Sequence, residues 1–178
     1  MNNELGKIFT NPNGKTIPYE LEHFFNSSNF LISKYNYNKP NSYFDLINKA
    51  DALGMEQFTL PPNDFFAIIK KLLDYNFKVK SVEFDPPLNE EDQELFNRKF
   101  ELVSNESIND NNLSVIKEQF DQYNKDLHSI PRKLFFLSYQ GNGYTLYNNG
   151  IIDIEDEHEI NELGGLLTSF VDEVQSRQ

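Results

Sequence analysis

The stretch from Pro131 to Gly150 constrains the fold of this chain more than any other. It carries the densest apolar run in the sequence and two Asn-Gly steps, Asn142-Gly143 and Asn149-Gly150. A type I′ hairpin turn needs positive φ at both central residues, and Asn-Gly supplies it. Residues 133–154 therefore read as an antiparallel meander: Lys133–Gln140, a turn, Tyr144–Tyr147, a turn, then Ile151–Ile154. In its first strand Leu134 and Phe136 alternate with Phe135, Leu137 and Tyr139. Both faces are apolar, so this strand is expected to be central and covered on both sides. Gly143 is expected at a left-handed position that a β-branched residue cannot occupy without strain. In the last strand the period of two turns Ile152 and Ile154 inward and Asp153 and Glu155 outward.

Earlier in the chain, Leu5–Thr10 and Lys15–Tyr19 flank Asn11-Pro12-Asn13-Gly14, which reads as a hairpin with its turn. Pro18 opens a short predicted helix, Tyr19–Phe25, and Phe30–Tyr35 is a predicted strand. A helix is expected from a Ser42 cap, with Phe44, Ile47, Ala50 and Leu53 on one face and Gly54 as its left-handed terminator. Leu60-Pro61-Pro62-Asn63-Asp64 starts a second helix carrying Phe65, Ile68, Ile69 and Leu72, and ending near Tyr75-Asn76. Phe77–Phe84 reads as an edge strand marked by lysines. Asn89 and Asp92 form a capping box for a helix through Lys99, with Leu95 and Phe96 inward. Phe100–Val103 reads as a short strand. Leu113, Ile116, Phe120, Tyr123 and Leu127 define an amphipathic helix that stops before Ile130-Pro131. Gly164-Gly165 argues against one long helix over 160–174. A short extended piece at Leu166–Leu167 and a last helix capped by Thr168 or Ser169 are expected instead. There is no internal repeat and no Gly/Ser linker. The elements add up to one α+β domain, with an antiparallel sheet and helices packed mainly on one side.

With 178 residues the chain can bury a sizeable core, and 16 Phe and 9 Tyr are too many for a disordered segment. The net charge of −12 repels phosphate backbones and anionic lipid, so direct nucleic-acid or membrane binding is not expected. It would attract a basic partner. Cys is absent, which excludes disulfides and thiolate chemistry and fits a reducing cytosol. No apolar run approaches the roughly 20 residues of a membrane span, and the first residues do not read as a signal peptide.

No catalytic motif accompanies the meander. Gln140-Gly141-Asn142-Gly143 is followed by strand-like residues rather than the helix a phosphate loop requires. There is no Gly-x-Ser-x-Gly. His23, His128 and His158 are too scattered for a ligand set. The run Asp153, Glu155, Asp156, Glu157, His158, Glu159 lacks the order of an EF-hand loop and reads as a solvated acidic loop. It is also a candidate for partner contact, together with Tyr144 and Tyr147, which could stack on a ligand or form a contact patch. No cofactor, metal site or catalytic residue is expected.

Four stretches resemble the SUKH superfamily over residues 43–174. A helix ending in Ala52-Leu53-Gly54 is followed by Leu60-Pro61-Pro62-Asn63-Asp64-Phe65, similar to the family's Leu-Pro-x-Asp-aromatic helix start. Leu102 to Ile108 looks like its turn into a helix. Phe135 to Tyr144 looks like its hairpin with a polar, Gly-containing tip, and Thr168 to Val174 like its closing helix. The chain departs from the pattern where Asp74-Tyr75-Asn76-Phe77 replaces Asn-Gly-Gly, in lacking Trp, and in residues 1–42, an N-terminal extension without counterpart. The family contains cell-wall-synthesis regulators and bacterial immunity proteins that neutralise toxins, and has no shared catalytic residues. The resemblance thus implies a cytosolic, non-enzymatic protein that occludes a cognate toxin, and the charge makes a basic toxin plausible. The alternative from another class is an acidic decoy that mimics nucleic acid on an enzyme.

Overall fold

The computed structural model describes residues 4–14, 16–17, 21, 23–105, 110–154 and 160–175. In chain order the elements are β1 (Glu4–Thr10), β2 (His23–Asn26), β3 (Phe30–Tyr35), α1 (Ser42–Ala52), β4 (Glu56–Gln57), α2 (Pro62–Asp74), β5 (Lys78–Asp85), α3 (Glu90–Asn105), α4 (Asp110–Asp126), β6 (Ile130–Leu137), β7 (Gly143–Tyr147), β8 (Ile151–Ile154) and α5 (Ile160–Gln175). The fold class is α+β, and the strands pair antiparallel. The chain divides into two compact units, one of residues 1–59 with 149–178, the other of residues 60–148.

In the first unit β1 is the central strand. It pairs β3 along one edge, from Leu5 opposite Tyr35 to Thr10 opposite Phe30. On its other edge β8 pairs Glu4 to Lys7, and β4 takes over at Phe9 and Thr10. The period of two sends Ile8, Phe30, Ile32, Ile152 and Ile154 to one face, all buried. There α5 packs through Phe170 on Phe58, whose ring in turn meets Phe30. The opposite face carries Phe9 and Leu31 against Leu46 and Ala50 of α1.

Several local expectations are corrected in this unit. Of the hairpin expected over residues 5–19, the turn forms, with the Gly14 amide donating to Asn11 O at 3.0 Å, but β1 takes its partners from distant segments; Lys15, Pro18 and Tyr19 lie outside the described residues. Of the expected helix 19–25, Tyr19, Glu20 and Glu22 lie outside the described residues, Leu21 is not helical, and His23 to Phe25 belong to strand β2. Ser42 does not cap α1, whose N-cap is Asn41; the Ser42 hydroxyl instead accepts from the Asn36 amide, 3.2 Å. Leu46 and Ala50 form the buried face of α1 while Phe44 is exposed. Gly54 (φ 73°) ends the helix as expected.

The largest correction is α5, which runs unbroken through Gly164 and Gly165. The two glycines are not equivalent. A Cβ on Gly164 would lie 2.4 Å from the Phe25 ring, whereas one on Gly165 would meet nothing within 4 Å. Gly164 lets the helix approach β2, and the apolar burial of Leu163, Leu166, Leu167 and Phe170 outweighs the roughly 1 kcal/mol that each glycine costs a helix. Gly165→Ala is therefore expected to stabilise the protein by about 0.5–1 kcal/mol. Gly164→Ala should destabilise it by about 1–2 kcal/mol, because the crowded ring must shift. Urea denaturation of the two variants checks this, and equal shifts would mean that Phe25 yields freely.

In the second unit β6 lies between β5 and β7. Leu134 and Phe136 are fully buried, while Phe135 and Leu137 are only half covered, so the second face of β6 is less enclosed than expected. Phe96 of α3 sits in a cage of rings, at 5.4 Å from Phe84, 5.2 Å from Phe100, 5.1 Å from Phe120 and 5.6 Å from Tyr123. The expected strand Phe100–Val103 is the C-terminal half of α3: Phe96, Phe100 and Val103 continue one helical stripe into the core. Half of the capping box forms: the Asp92 amide donates to Asn89 Oδ1 at 2.8 Å, while the Asp92 carboxylate accepts from the Asn89 side-chain amide at 2.6 Å. Leu95, expected inward, faces out, and so does Leu127 just past the end of α4.

β5 is an edge strand among the described residues, as the lysines imply, and α3 guards it. Gln93 Nε2 donates to the Val82 carbonyl at 2.8 Å, and the Val82 amide donates to Asn97 Oδ1 at 3.4 Å. The β6–β7 turn also differs from expectation. The Ser138 carbonyl accepts from Gly141 N at 3.1 Å and its amide donates to Asn142 O at 2.9 Å. The left-handed residue is Gly141 (φ 95°), not Gly143, which instead begins β7 opposite Leu137. This is the three-residue loop with a left-handed third position, residues 139–141, so the Asn142-Gly143 step lies just past the loop rather than at the centre of a type I′ turn.

Candidate functional site

Of the residues proposed for partner contact, Asp153 belongs to the first unit and Tyr144 and Tyr147 to the second. Glu155, Asp156, Glu157 and Glu159 lie outside those residues. Asp153 sits in β8 opposite Leu5; Ile152 and Ile154 point inward as expected, but Asp153 is half-buried rather than free. Its Oδ1 is covered and has no hydrogen-bond partner among the described residues. Tyr144 is 1% exposed, stacked on Phe136 at 5.5 Å and edge-on to Phe77 at 6.3 Å. It belongs to the core of the second unit and presents no contact surface. Tyr147 is half-buried beside Lys133, whose Nζ lies 6.0 Å from its ring. The tyrosine that the hairpin does offer is Tyr139, 81% exposed at the turn.

A group of exposed carboxylates lies around the start of α3. Glu83, Asp85, Glu90, Glu91 and Glu94 are all exposed. Three have cations: Lys133 holds Glu83 at 2.9 Å, Arg132 lies 3.7 Å from Asp85, and Arg98 pairs with Glu94. Glu90, Glu91 and Asp92 occupy the first turn of α3, where carboxylates are favoured by the helix dipole. Part of this charge thus serves the helix itself. Burial, and secondarily the Asp92 charge, raises the pKa of the Tyr123 hydroxyl.

A polar site that sequence reasoning missed is Lys7. Its side chain is 1% exposed on the face of the first unit's sheet that carries Phe9. Nζ donates to the carbonyls of Phe58, at 3.3 Å, and Asn149. Burial without a carboxylate lowers its pKa to about 8. Around it the chain is drawn close: the Ile8 amide donates to Gly150 O at 2.8 Å and the Phe58 amide to Ile8 O at 3.1 Å. The arrangement is a clamp tying two segments to β1. A lysine inside an otherwise apolar strand was the only signal of it, and that signal reads equally as a surface residue.

Among the described residues no group of three or more His, Cys, Asp or Glu could hold a metal ion, and no helix is long and apolar enough to cross a membrane. No family model, curated protein or solved structure matches the chain.

Proposed function

We propose that this chain is a non-catalytic, cytosolic binding protein of the immunity type, which neutralises a basic toxin by covering its active site. The observation that carries the reading is the charge of −12, expressed on exposed carboxylates such as Glu83, Asp85, Glu90, Glu91 and Glu94. Such a surface accelerates encounter with a basic protein and repels nucleic acid. The SUKH-like stretches support the class of partner: Ala52-Leu53-Gly54 closes α1, Pro62 opens α2, and Phe135 to Tyr144 spans a hairpin.

Co-expression with a basic toxin encoded nearby tests this. Rescue of growth is expected, together with an association rate that falls steeply with salt. Neutralising Asp153, Glu155, Asp156 and Glu157 to Asn or Gln should slow association and flatten its salt dependence. The same change at Asp85, Glu90, Glu91 and Glu94 is the comparison that tells which surface steers the encounter. Absence of both rescue and complex formation would dispose of the reading.

A further inference from the structure

The outer face of α3 combines exposed leucines with unspent negative charge. Leu95 is 50% and Leu102 59% exposed. Seven residues apart, they lie on one line of the helix, about 10 Å apart along its axis. Glu91 and Arg98 fall on the same line, and Glu90, Glu94 and Glu101 run beside it, all of them exposed. Arg98 is already held by Glu94. Among the described residues Glu90, Glu91 and Glu101 have no ion pair. Glu90 and Glu91 gain from the helix N-terminus, but Glu101 is too far along α3 for that benefit. The core needs none of these side chains, since Phe96, Phe100 and Val103 supply the opposite side of the helix.

Leucines at a spacing of seven, with carboxylates along one flank, are the complement of a helix bearing apolar residues on one stripe and cations beside it. We propose that the outer face of α3, with Leu95 and Leu102 as apolar contacts and Glu90, Glu91, Glu94 and Glu101 as flanking carboxylates, seats a basic amphipathic helix of the partner. This rests on the reading of the chain as a binder of a basic protein, and adds where and by what shape it binds. The leucines provide the contact that holds the complex together, and the carboxylates select the sign of the partner and speed its arrival.

The probe is a labelled amphipathic peptide of roughly 20 residues, leucine on its apolar stripe and lysine beside it, titrated against the full chain by fluorescence anisotropy. Leu95→Ser with Leu102→Ser should weaken binding about tenfold or more at both low and physiological salt. Glu90→Gln, Glu91→Gln and Glu101→Gln together should weaken it about threefold or more at low salt, with the difference shrinking as salt rises. Asp45→Asn, Asp51→Asn and Glu56→Gln remove the same charge from exposed positions elsewhere and should change affinity less than about twofold. Circular dichroism of each variant confirms that the helices are retained, as expected for solvent-facing positions. If the leucine pair has no effect, or both charge triples weaken binding equally, the seat on α3 is overturned while attraction of basic partners by net charge survives. If the parent protein does not bind the peptide at low salt, both the seat and the basic-partner reading fall.

Discussion

Replacing Gly150 with alanine is expected to cost about 3–5 kcal/mol of stability. Two penalties add there. Gly150 has φ 75°, a conformation that costs a residue with a Cβ roughly 1–2 kcal/mol. The added Cβ would also stand 2.2 Å from the Phe58 carbonyl oxygen and 3.1 Å from Lys7 Nζ. That carbonyl cannot swing aside cheaply, because the neighbouring Phe58 amide is bonded to Ile8 O and Nζ itself takes the carbonyl's lone pair. Gly141→Ala separates the two penalties. Gly141 also has positive φ, at 95°, but a Cβ there meets nothing within 4 Å, so only about 1–2 kcal/mol should be lost. Urea denaturation of both variants gives the comparison. Equal losses would show that the contact at Phe58 relaxes and that backbone strain is the whole effect.

The stability of the protein relative to Lys7→Met should rise with pH between about 8 and 10.5. Burial lowers the Lys7 pKa in the folded chain to about 8, against 10.5 for the free side chain. Between those values the unfolded chain binds the extra proton, so raising the pH favours the folded state. Below about pH 8 the lysine is charged in both states and its desolvation penalty is constant; above 10.5 it is neutral in both and the penalty is gone. The full change is up to roughly 3 kcal/mol. Methionine keeps most of the stem's packing but cannot titrate or donate to the Phe58 and Asn149 carbonyls. Other titrations cancel in the difference between the two proteins. Denaturation curves at neutral pH and near pH 10 check this, and a difference that stays flat would mean that the ammonium is solvated in the folded protein.

The elements that were legible in the sequence are those whose cause lies within a few residues. Phe30–Tyr35 and Ile151–Ile154 are strands at the expected bounds. The Pro62 start and the apolar spacing of Phe65, Ile68, Ile69 and Leu72 locate α2 correctly, and the Asn89–Asp92 pair locates the start of α3. Leu113, Ile116, Phe120 and Tyr123 mark the buried stripe of α4. Caps, turns and helical stripes are local energies, and a short window contains all the atoms that decide them.

What the window lacks is the neighbour. The partners of β1 come from residues 30–35, 56–57 and 151–154, so the turn at Asn11–Gly14 forms without joining β1 to the segment that follows it. Gly164-Gly165 reads as a helix breaker until the Phe25 ring against Gly164 shows that the missing side chain is what lets α5 pack. Tyr144 reads as a possible contact residue until Phe77 and Phe136 enclose it. Lys7 reads as a surface lysine until two backbone carbonyls receive it, and Leu95 reads as core until Phe96, one position on, fills the ring cage instead. The sequence by itself determined the elements whose signals are local, such as α2, α4 and β8, but not the strand at His23–Phe25 or the helical course of Phe100–Val103 and Gly164–Leu167. Only tertiary structure decided which strands meet and which side of each element is covered, because those outcomes are set by burial against segments far away along the chain.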